Sequence, residues 1–316
     1  MNEFICMTRE ERIQFYLGKD LISGNYDSNL KETLISFSDF LKMYYKVDIV
    51  IPRLYFEPLR KLLIKLRHTD KKFKIEYGDI QRQTDALTLV KNRQSPNLSS
   101  VILFSLNNNR HWQNYYQRPV DIRFGKKINS LFWRGTSTGS LYRDDLLPSV
   151  TEYEKYLRPA NRIDFVTKFF HKNPSKIDVG FSFLHRNYLK EKYGKYIKGM
   201  QPIQTFLKHK YLLSLEGNDK DSGLQWKLNS NSVVFMPKPT MTTWLMETTL
   251  IPDYHYVLLK DDFSNLEEKI KWCDDHPAEC LQIIKHAKTF MLQFYDKQNE
   301  LKIEEEVINR YFQLTE

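Results

Sequence analysis

The amino-acid sequence predicts an α/β protein with two domains and a cleft between them. Short apolar runs of strand length alternate with stretches of helical periodicity, which is the pattern of βαβ units and parallel sheets. The chain has 316 residues, a length that suits two domains better than one core. A polar, turn-prone stretch at Pro119–Lys127 separates two series of elements. Ligands of such paired domains bind at the carboxyl ends of the strands.

The first series contains helical and strand-like stretches. Apolar residues recur every three or four positions in Lys31–Tyr45 and Pro58–Arg67, so we predict helices there. Short apolar runs predict strands at Val47–Ile51, Phe73–Tyr77 and Val101–Leu106. We place the first domain at residues 1–122.

The second series begins after the boundary and is longer. Short apolar runs predict strands at Leu131–Trp133, Ile177–Phe181, Tyr211–Leu215, Val233–Met236 and Tyr254–Leu259. Helical spacing predicts helices at Asp164–His171, Leu224–Asn229, Met241–Thr248, Leu266–His276, Pro277–Phe294 and Glu300–Phe312. We place the second domain at 123–298, and we expect the helix in 299–316 to pack back on the first domain.

Composition and charge narrow the class of protein. The net charge of +9 favours an anionic partner such as nucleic acid, an anionic membrane surface or a phosphorylated substrate, although an unspecific lysine-rich surface gives the same number. No apolar run approaches the ~20 residues of a membrane span, and the acidic N-terminus is unlike a signal peptide. Three cysteines without a CxxC pattern predict a soluble protein of a reducing compartment.

Two segments carry residues suited to binding a diphosphate. In the first, Trp133-Arg134-Gly135-Thr136-Ser137 follows a short strand, where glycine permits close backbone approach and the hydroxyls can cap a helix. Arg143 comes about one or two helical turns later, and an arginine there can clamp phosphate oxygens with paired hydrogen bonds. An ordinary helix cap beside a surface arginine explains the same residues.

The second segment is a strand, a polar turn, a short helix and another strand between His209 and Pro239. Such a unit directs backbone N–H groups towards one point, and we expect the amides of Ser222, Gly223 and Leu224 to donate to a diphosphate. Glu216-Gly217 ends the first strand. The Glu216 carboxylate is a candidate for bonding the ribose or sugar of a donor, or for bonding neighbouring loop amides.

Taken together and in this order, the two segments resemble glycosyltransferase family 90. The matching residues are WRGTS with Arg143-Asp144 behind it, and YLLSLEG with SNSVVF further along; the likeness is clearest from about Phe73 to Asp262 and is greatest to the bacterial lipopolysaccharide branch. The resemblance implies two Rossmann-like domains of GT-B type. It also implies a UDP-sugar donor held mainly by the second domain, inversion at the anomeric carbon and no metal ion. The donor residues would be Arg134, Gly135, Thr136, Ser137, Glu216, Gly217, Ser222, Gly223, Leu224 and Lys227, with Arg143 facing the leaving group.

An inverting transfer needs a carboxylate base. The resemblance aligns Asp79 with the family's aspartate that follows a strand, and Gly78 turns the chain to present it. Capping of a turn is the alternative role for Asp79. Asp121, Asp85 and Glu76 are rival bases.

The chain departs from the family pattern around Ser222. Relatives have Ser-x-Arg there, whereas this sequence has no arginine, and Lys227 is the substitute that we predict. The tripeptide Asp219-Lys220-Asp221 leaves a DxD site for Mg²⁺ or Mn²⁺ as an alternative.

The expected function is therefore that of a UDP-sugar-dependent hexosyltransferase. We expect UDP-glucose or UDP-galactose as donor, a sugar hydroxyl of an anionic, lipid-linked lipopolysaccharide or lipooligosaccharide core as acceptor, and work at the cytoplasmic face of a membrane, with peripheral contact to anionic lipid. Nucleic acid is not an expected partner, because no basic stripe with interleaved aromatics is present. The alternatives are a capsule or protein acceptor, and a non-catalytic nucleotide-sugar-binding protein of the same fold.

Overall fold

The computed structural model of the chain divides into two units. It describes residues 6–46, 50–80, 84–94, 101–106, 120–142 and 146–316. Unit 1 consists of Met1–Tyr116, Thr240–Glu247 and Gln293–Glu316, and unit 2 consists of Gln117–Pro239 and Thr248–Leu292. The sequence-based division was 1–122, 123–298 and 299–316. The structure differs from it in counting 117–122 with unit 2, and 240–247 and 293–298 with unit 1.

Unit 1 is built on a small mixed sheet. Its strands β1 (Ile35–Ser36), β2 (Lys72–Ile75), β3 (Thr88–Val90) and β5 (Ile102–Leu103) lie in that order, with β1 antiparallel to β2 and the other pairs parallel. A second, two-stranded sheet pairs β4 (Arg93–Gln94) with β10 (Met241–Thr242). The helices are α1 (Arg9–Leu17), α2 (Lys19–Ser23), α3 (Phe37–Lys46), α4 (Val50–Lys65) and α12 (Lys297–Thr315).

A buried ion pair joins the two ends of unit 1. Arg12 of α1 forms a forked pair with Glu300 of α12, and the distance from Arg12 Nη2 to Glu300 Oε2 is 2.8 Å. Trp244 Nε1 donates to the same Glu300 oxygen over 2.8 Å, while Tyr16 stacks on Trp244 at 3.8 Å between ring centroids. Three separate chain segments therefore meet at one carboxylate.

Unit 2 contains a five-stranded, fully parallel sheet. Its strands are β6 (Ile128–Thr136), β7 (Ile177–Phe183), β8 (His209–Leu213), β9 (Val233–Pro237) and β11 (Val257–Leu259), and their order is β11-β9-β8-β6-β7. Its helices are α5 (Val150–Lys155), α6 (Arg162–Phe169), α7 (Lys190–Tyr193), α8 (Ile203–Phe206), α9 (Leu224–Leu228), α10 (Leu266–Asp275) and α11 (Pro277–Leu292). The central residues of the strands are buried, as their apolar runs require, whereas the ends of β6 and β7 are partly exposed.

Parallel sheets confirm the predicted α/β class, but three predicted elements differ from the structure. The predicted helix Lys31–Tyr45 is helical only from Phe37, after a 3₁₀ helix at Ser28–Thr33 and the strand β1. The predicted helix Met241–Thr248 is instead β10, a turn and a short 3₁₀ helix at Glu247–Thr249. The Glu247 carboxylate accepts from the Thr243 amide over 2.7 Å and from its hydroxyl over 2.8 Å, and such local bonds compete with a helix. The predicted strand Val47–Ile51 overlaps the start of α4 at Val50, and residues 47–49 lie outside the described residues.

In the parts of the chain that the structure describes, no helix has both the length and the apolar character that crossing a membrane requires.

Candidate functional site

The sheet of unit 2 has a switch point between β6 and β8. The chain runs from β6 outwards to β7 on one side, and then returns to β8, β9 and β11 on the other. At such a point the loops after the two central strands diverge and leave a crevice outside their carboxyl ends, where ligands of open α/β sheets bind. The two sequence segments singled out above follow β6 and β8, so the fold brings them to this one edge.

The residues at the end of β6 are tightly packed. A side chain at Gly135 is excluded, because a Cβ there would lie 2.5 Å from Trp133 Cζ2. Ser137 is buried, its hydroxyl lies 2.8 Å from His185 Nδ1, and its carbonyl oxygen accepts from Tyr153 over 2.6 Å. The hydroxyls of Thr136 and Thr138 lie 3.0 Å apart. This strand end is therefore a rigid platform.

Arg162, at the start of α6, ties the two strand ends together. Its Nη2 and Nε donate to the carbonyl oxygen of Leu215 after β8, over 2.8 and 3.2 Å. Its Nη1 lies 3.0 Å from Thr138 Oγ1 and 3.2 Å from Thr136 Oγ1 after β6. Burial lowers the pKa of Arg162, although its guanidinium remains charged at neutral pH. A fixed positive charge therefore lies at the switch point.

A second arginine stands beside it. Arg158 is 4% exposed, and its Nη1 donates to Glu216 Oε2 over 2.9 Å. Its Nη2 donates to the carbonyl oxygen of Asn218 over 3.1 Å. Gly217, between these partners, is required because a Cβ there would lie 2.8 Å from Thr138 Oγ1 and 3.0 Å from Arg162 Nη2. Arg158 thus orients Glu216, the carboxylate that the sequence proposes for the donor's hydroxyls.

The loop after Gly217 is closed by a buried ion pair. Lys227 Nζ pairs with Asp221 and donates to the Leu213 carbonyl oxygen over 2.8 Å. Burial lowers the pKa of Lys227. Burial also opposes ionisation of Asp221, but the positive charges of Lys227 and Arg162 nearby hold the pKa of Asp221 below its ordinary value. Ser214 also donates to Asp221 over 2.8 Å.

This arrangement bears on two predictions from the sequence. The amides of Gly223 and Leu224 already donate to Asp221, over 2.9 and 3.1 Å, while Ser222 is exposed. Lys227 is enclosed and holds the loop, so the geometry does not favour its predicted contact with a phosphate. Within the described residues, no group of three or more His, Cys, Asp or Glu side chains is placed to hold a metal ion.

Of the two other predicted arginines, one lies elsewhere and one is not among the described residues. Arg134 turns towards the neighbouring strand β7, where its Nη2 donates to Asp178 Oδ1 over 2.7 Å and its Nη1 to the Asp178 carbonyl oxygen over 3.0 Å. Its guanidinium also lies 4.5 Å from the ring centroid of Phe132. Arg143 lies outside the described residues, so its predicted role in binding the leaving group stays a prediction.

The predicted base lies in unit 1. Asp79 follows β2 after Gly78, whose φ of +97° is a conformation that favours glycine. Asn92 fixes the turn, because its side chain exchanges hydrogen bonds of 3.0 and 2.9 Å with the backbone of Ile80. The Asp79 carboxylate, 24% exposed, pairs with the buried Lys91 that follows the adjacent parallel strand β3. Asp79 is therefore held at the carboxyl edge of the unit 1 sheet.

Two of the rival bases, Asp85 and Asp121, also form ion pairs. Asp85 pairs with Lys74 over 2.6 Å and accepts from the Thr88 hydroxyl over 2.9 Å. Asp121 is buried against Lys127 at 2.6 Å. Glu76 is half-buried just after β2.

Sequence reasoning missed Arg158, in the turn before α6, and Arg162, at the start of α6. They stand more than twenty residues after the WRG motif, and only the fold brings them under the second loop. The available signal was an asparagine cap, Asn161, whose side chain accepts from the Asp164 amide over 2.8 Å and so begins a helix at Arg162.

The family of the chain follows from comparison with known proteins. The model of "Glycosyl transferase family 90" matches residues 108–316, about two thirds of the chain. The chain belongs to this family, which confirms the resemblance, and it is a glycosyltransferase. The matched span begins later and ends later than the likeness seen in the sequence, and Asp79 precedes it.

Individual relatives agree with this assignment. The chain is 31% identical to "O-glucosyltransferase LpsA" of Dichelobacter nodosus over 266 residues, which cover 84% of this chain and 74% of that protein. It is 28% identical to "Protein O-glucosyltransferase 2" of Danio rerio over 169 residues, 52% of this chain and 29% of that one. "Uncharacterized protein 179R" of Invertebrate iridescent virus 6 is 25% identical over 207 residues, 60% of this chain and 17% of that one.

Proposed function

We propose that the protein transfers a hexose from a UDP-hexose to a sugar hydroxyl of an anionic, lipid-linked core oligosaccharide, with inversion and without a metal ion. The observation that carries this proposal is the pair of buried arginines, Arg158 and Arg162, at the switch point of the unit 2 sheet. Arg162, which is hydrogen-bonded to neutral groups at the place where α/β sheets bind nucleotides, suits a diphosphate in charge, whereas Arg158 is paired with Glu216 and orients that carboxylate.

In this proposal the cations of unit 2 stabilise the leaving group. UDP leaves with a growing negative charge on its diphosphate, and fixed positive charge nearby lowers the barrier for that departure. Arg162 supplies a charge that is held in place by backbone and hydroxyl oxygens, and Arg143 stays part of the proposal as a further phosphate contact. Glu216, oriented by Arg158, is the proposed acceptor of hydrogen bonds from donor hydroxyls.

Asp79 is the proposed base. Its carboxylate takes the proton of the acceptor hydroxyl as that oxygen attacks the anomeric carbon, and the bond from that carbon to the UDP oxygen breaks with its electron pair going to UDP. Attack from the face opposite the leaving group inverts the anomeric centre. The commitment of Asp221 to Lys227, rather than to an open carboxylate pair, supports a transfer that needs no metal.

The names of two relatives indicate a donor and an acceptor for this proposal. Both describe O-glucosyltransferases, which favours UDP-glucose over UDP-galactose and a hydroxyl oxygen as acceptor. We propose a GT-B pair of domains working at the cytoplasmic face of a membrane. A protein acceptor is the second candidate, because one of these names is that of a protein O-glucosyltransferase.

A thermal-shift panel tests the donor assignment. Purified protein is heated with UDP, GDP, CDP, ADP and their sugars, first with EDTA and then with Mg²⁺ or Mn²⁺. A ligand at about 100 times its Kd adds roughly 2.7 kcal/mol to the unfolding free energy, which is a readily measured shift. We expect a shift with UDP and UDP-glucose in EDTA. The absence of any nucleotide shift, or a shift that requires metal, would overturn the corresponding part of the proposal.

A further inference from the structure

Residues 183–210, which we call the 183–210 segment, hold most of the excess charge of the chain. The segment is less than a tenth of the sequence, yet it has seven basic residues against the single acidic residue Glu191, while the whole chain has a net charge of +9. The basic residues are Arg186, Lys190, Lys192, Lys195, Lys198, Lys208 and Lys210. The positive charge is therefore a local property of unit 2.

The same segment exposes large apolar side chains. Met200 is 76% exposed, and Phe183, Ile197 and Ile203 are each about two fifths exposed or more. Single exposed apolar residues are normal on a protein surface, but here four of them lie within one strongly basic segment. Apolar side chains surrounded by lysines are the composition of surfaces that lie in a membrane interface.

Two of the exposed apolar residues, Ile197 and Phe183, lie near the carboxyl end of the unit 2 sheet. Ile197 forms a parallel bridge with Phe181 of β7, and the Lys198 amide donates to the Phe181 carbonyl oxygen over 2.8 Å. The chain from Ile197 onwards thus runs along the carboxyl end of β7. Phe183, at that end, is paired with Thr136 of β6, a residue of the switch point.

Much of the charge is open to a partner. Lys190, Lys195 and Lys208 are exposed. Lys192 pairs with Glu154 and Lys198 with Asp178, each over 2.7 Å, but both lysine side chains stay partly exposed. Exposed ion pairs of this kind contribute little energy and are screened by salt, so they do not cancel the attraction to an anionic surface.

We propose that the 183–210 segment docks unit 2 onto an anionic membrane. Its lysines contact lipid phosphates, and Met200, Ile197, Ile203 and Phe183 enter the boundary between headgroups and acyl chains. The inference deepens the proposed function, on which it rests for its purpose, since a lipid-linked acceptor presents its sugars next to the surface on which the enzyme lies. Charge complementarity selects anionic lipid over neutral lipid.

Vesicle sedimentation tests the charge requirement. Full-length protein is mixed with vesicles of phosphatidylcholine alone or with added phosphatidylglycerol, and we expect binding to the anionic vesicles that weakens as salt rises. The triple variant Lys190→Gln, Lys195→Gln, Lys208→Gln should bind them about 100-fold more weakly, because each lysine near such a surface contributes about fivefold. The matched variant Lys19→Gln, Lys285→Gln, Lys302→Gln removes equal charge from exposed positions outside the segment and should bind like the wild type.

A second pair of variants tests the apolar requirement. Met200→Ser with Ile203→Ser should weaken vesicle binding about tenfold or more, whereas Leu281→Ser with Leu292→Ser, at exposed positions of α11, should not. Equal losses in segment and control variants would overturn the proposal. Wild-type vesicle binding by the segment variants would also overturn it. So would segment variants that lose binding to single-stranded RNA but still bind anionic vesicles.

The same samples separate this proposal from the proposed function. UDP-induced thermal shifts are measured for every variant and should match the wild type. A wild-type protein that binds anionic vesicles but not UDP would refute the donor assignment and leave the docking surface standing. The opposite result would refute only the docking surface.

Discussion

The two units use buried arginines in different ways. In unit 1 Arg12 makes a forked pair with the buried carboxylate of Glu300, and each charge has its counter-charge in contact. In unit 2 Arg162 is bound by the carbonyl oxygen of Leu215 and by threonine hydroxyls, all of them neutral acceptors. In the first arrangement the two charges neutralise each other, and the ion pair holds separate chain segments together. The second leaves the Arg162 guanidinium hydrogen-bonded to neutral groups, while the carboxylates of Asp221 and Asp219 act on it through space. An arginine held in this way at the edge of a parallel sheet suits an anion-binding site.

The largest effect is expected at the proposed base. Asp79→Asn keeps the size of the side chain but removes the proton acceptor, so turnover should fall about 10²- to 10⁴-fold while the Kd for UDP is nearly unchanged. Initial rates of transfer and UDP titration calorimetry measure the two quantities. Asp85→Asn, at the rival carboxylate, is the matched control and should keep turnover. Wild-type turnover by Asp79→Asn would show that the base is another residue.

The Arg12–Glu300 ion pair of unit 1 should affect the unfolding free energy and not the binding of UDP. Arg12→Met leaves Glu300 buried without a counter-charge, which costs about 3–5 kcal/mol of unfolding free energy. Hydrogen exchange of the α1 and α12 amides in increasing urea reports this locally. The control Arg310→Met breaks the more exposed pair with Glu10, and should cost at most about 1 kcal/mol. An Arg12→Met protein of wild-type stability would contradict the fastening role, and the double change Arg12→Met with Glu300→Gln should recover part of the loss.

In unit 2, Arg162 should affect the binding of UDP. Arg162→Lys retains the charge but loses the fork, so UDP should bind about 10- to 100-fold more weakly. Arg134→Lys is the matched control on the same sheet, because its guanidinium is bound to Asp178. Titration of UDP into both variants, with a melting curve to confirm folding, distinguishes them. Weaker binding by Arg134→Lys alone would restore Arg134 as the donor contact and remove Arg162.

The smallest effect concerns acid stability of unit 2. Burial lowers the pKa of His209 and of His255 to about 4. An unfolded chain binds protons at these histidines from about pH 6.5 downwards, whereas the folded chain does not until about pH 4. The unfolding free energy should therefore fall as pH drops from about 6.5 to 4, and be restored above that window. Melting temperatures across this range should fall less steeply for His209→Gln than for wild type, and the exposed control His171→Gln should follow wild type.

The contrast also shows how far sequence reaches. The strands of unit 2 were predictable, because a parallel strand buried on both faces requires a continuous apolar run such as Tyr211–Leu215. The segment after Thr240 was mispredicted as a helix, because Glu247 satisfies its backbone locally and its apolar residues pack in unit 1.

The candidate site divides in the same way. The two loops at the switch point were predictable from glycine, hydroxyl and carboxylate residues next to strands. Arg158 and Arg162 were not, because their partners come from loops that are distant in sequence and adjacent only in the folded sheet. Lys227 was predicted to be a ligand contact, yet its pairing with Asp221 depends on burial that no sequence pattern reveals.

The three-part composition of unit 1 sets an order of events during synthesis. The ribosome makes residues 293–316 after all of unit 2, so Arg12 cannot pair with Glu300 until 288 further residues have been added. The two segments of unit 2 are separated only by 240–247, so unit 2 is able to fold while unit 1 still lacks residues 293–316. A newborn chain therefore carries exposed apolar surface from its first hundred residues until residues 293–316 have been made, and its yield in cells depends on how well that surface is protected in the interval.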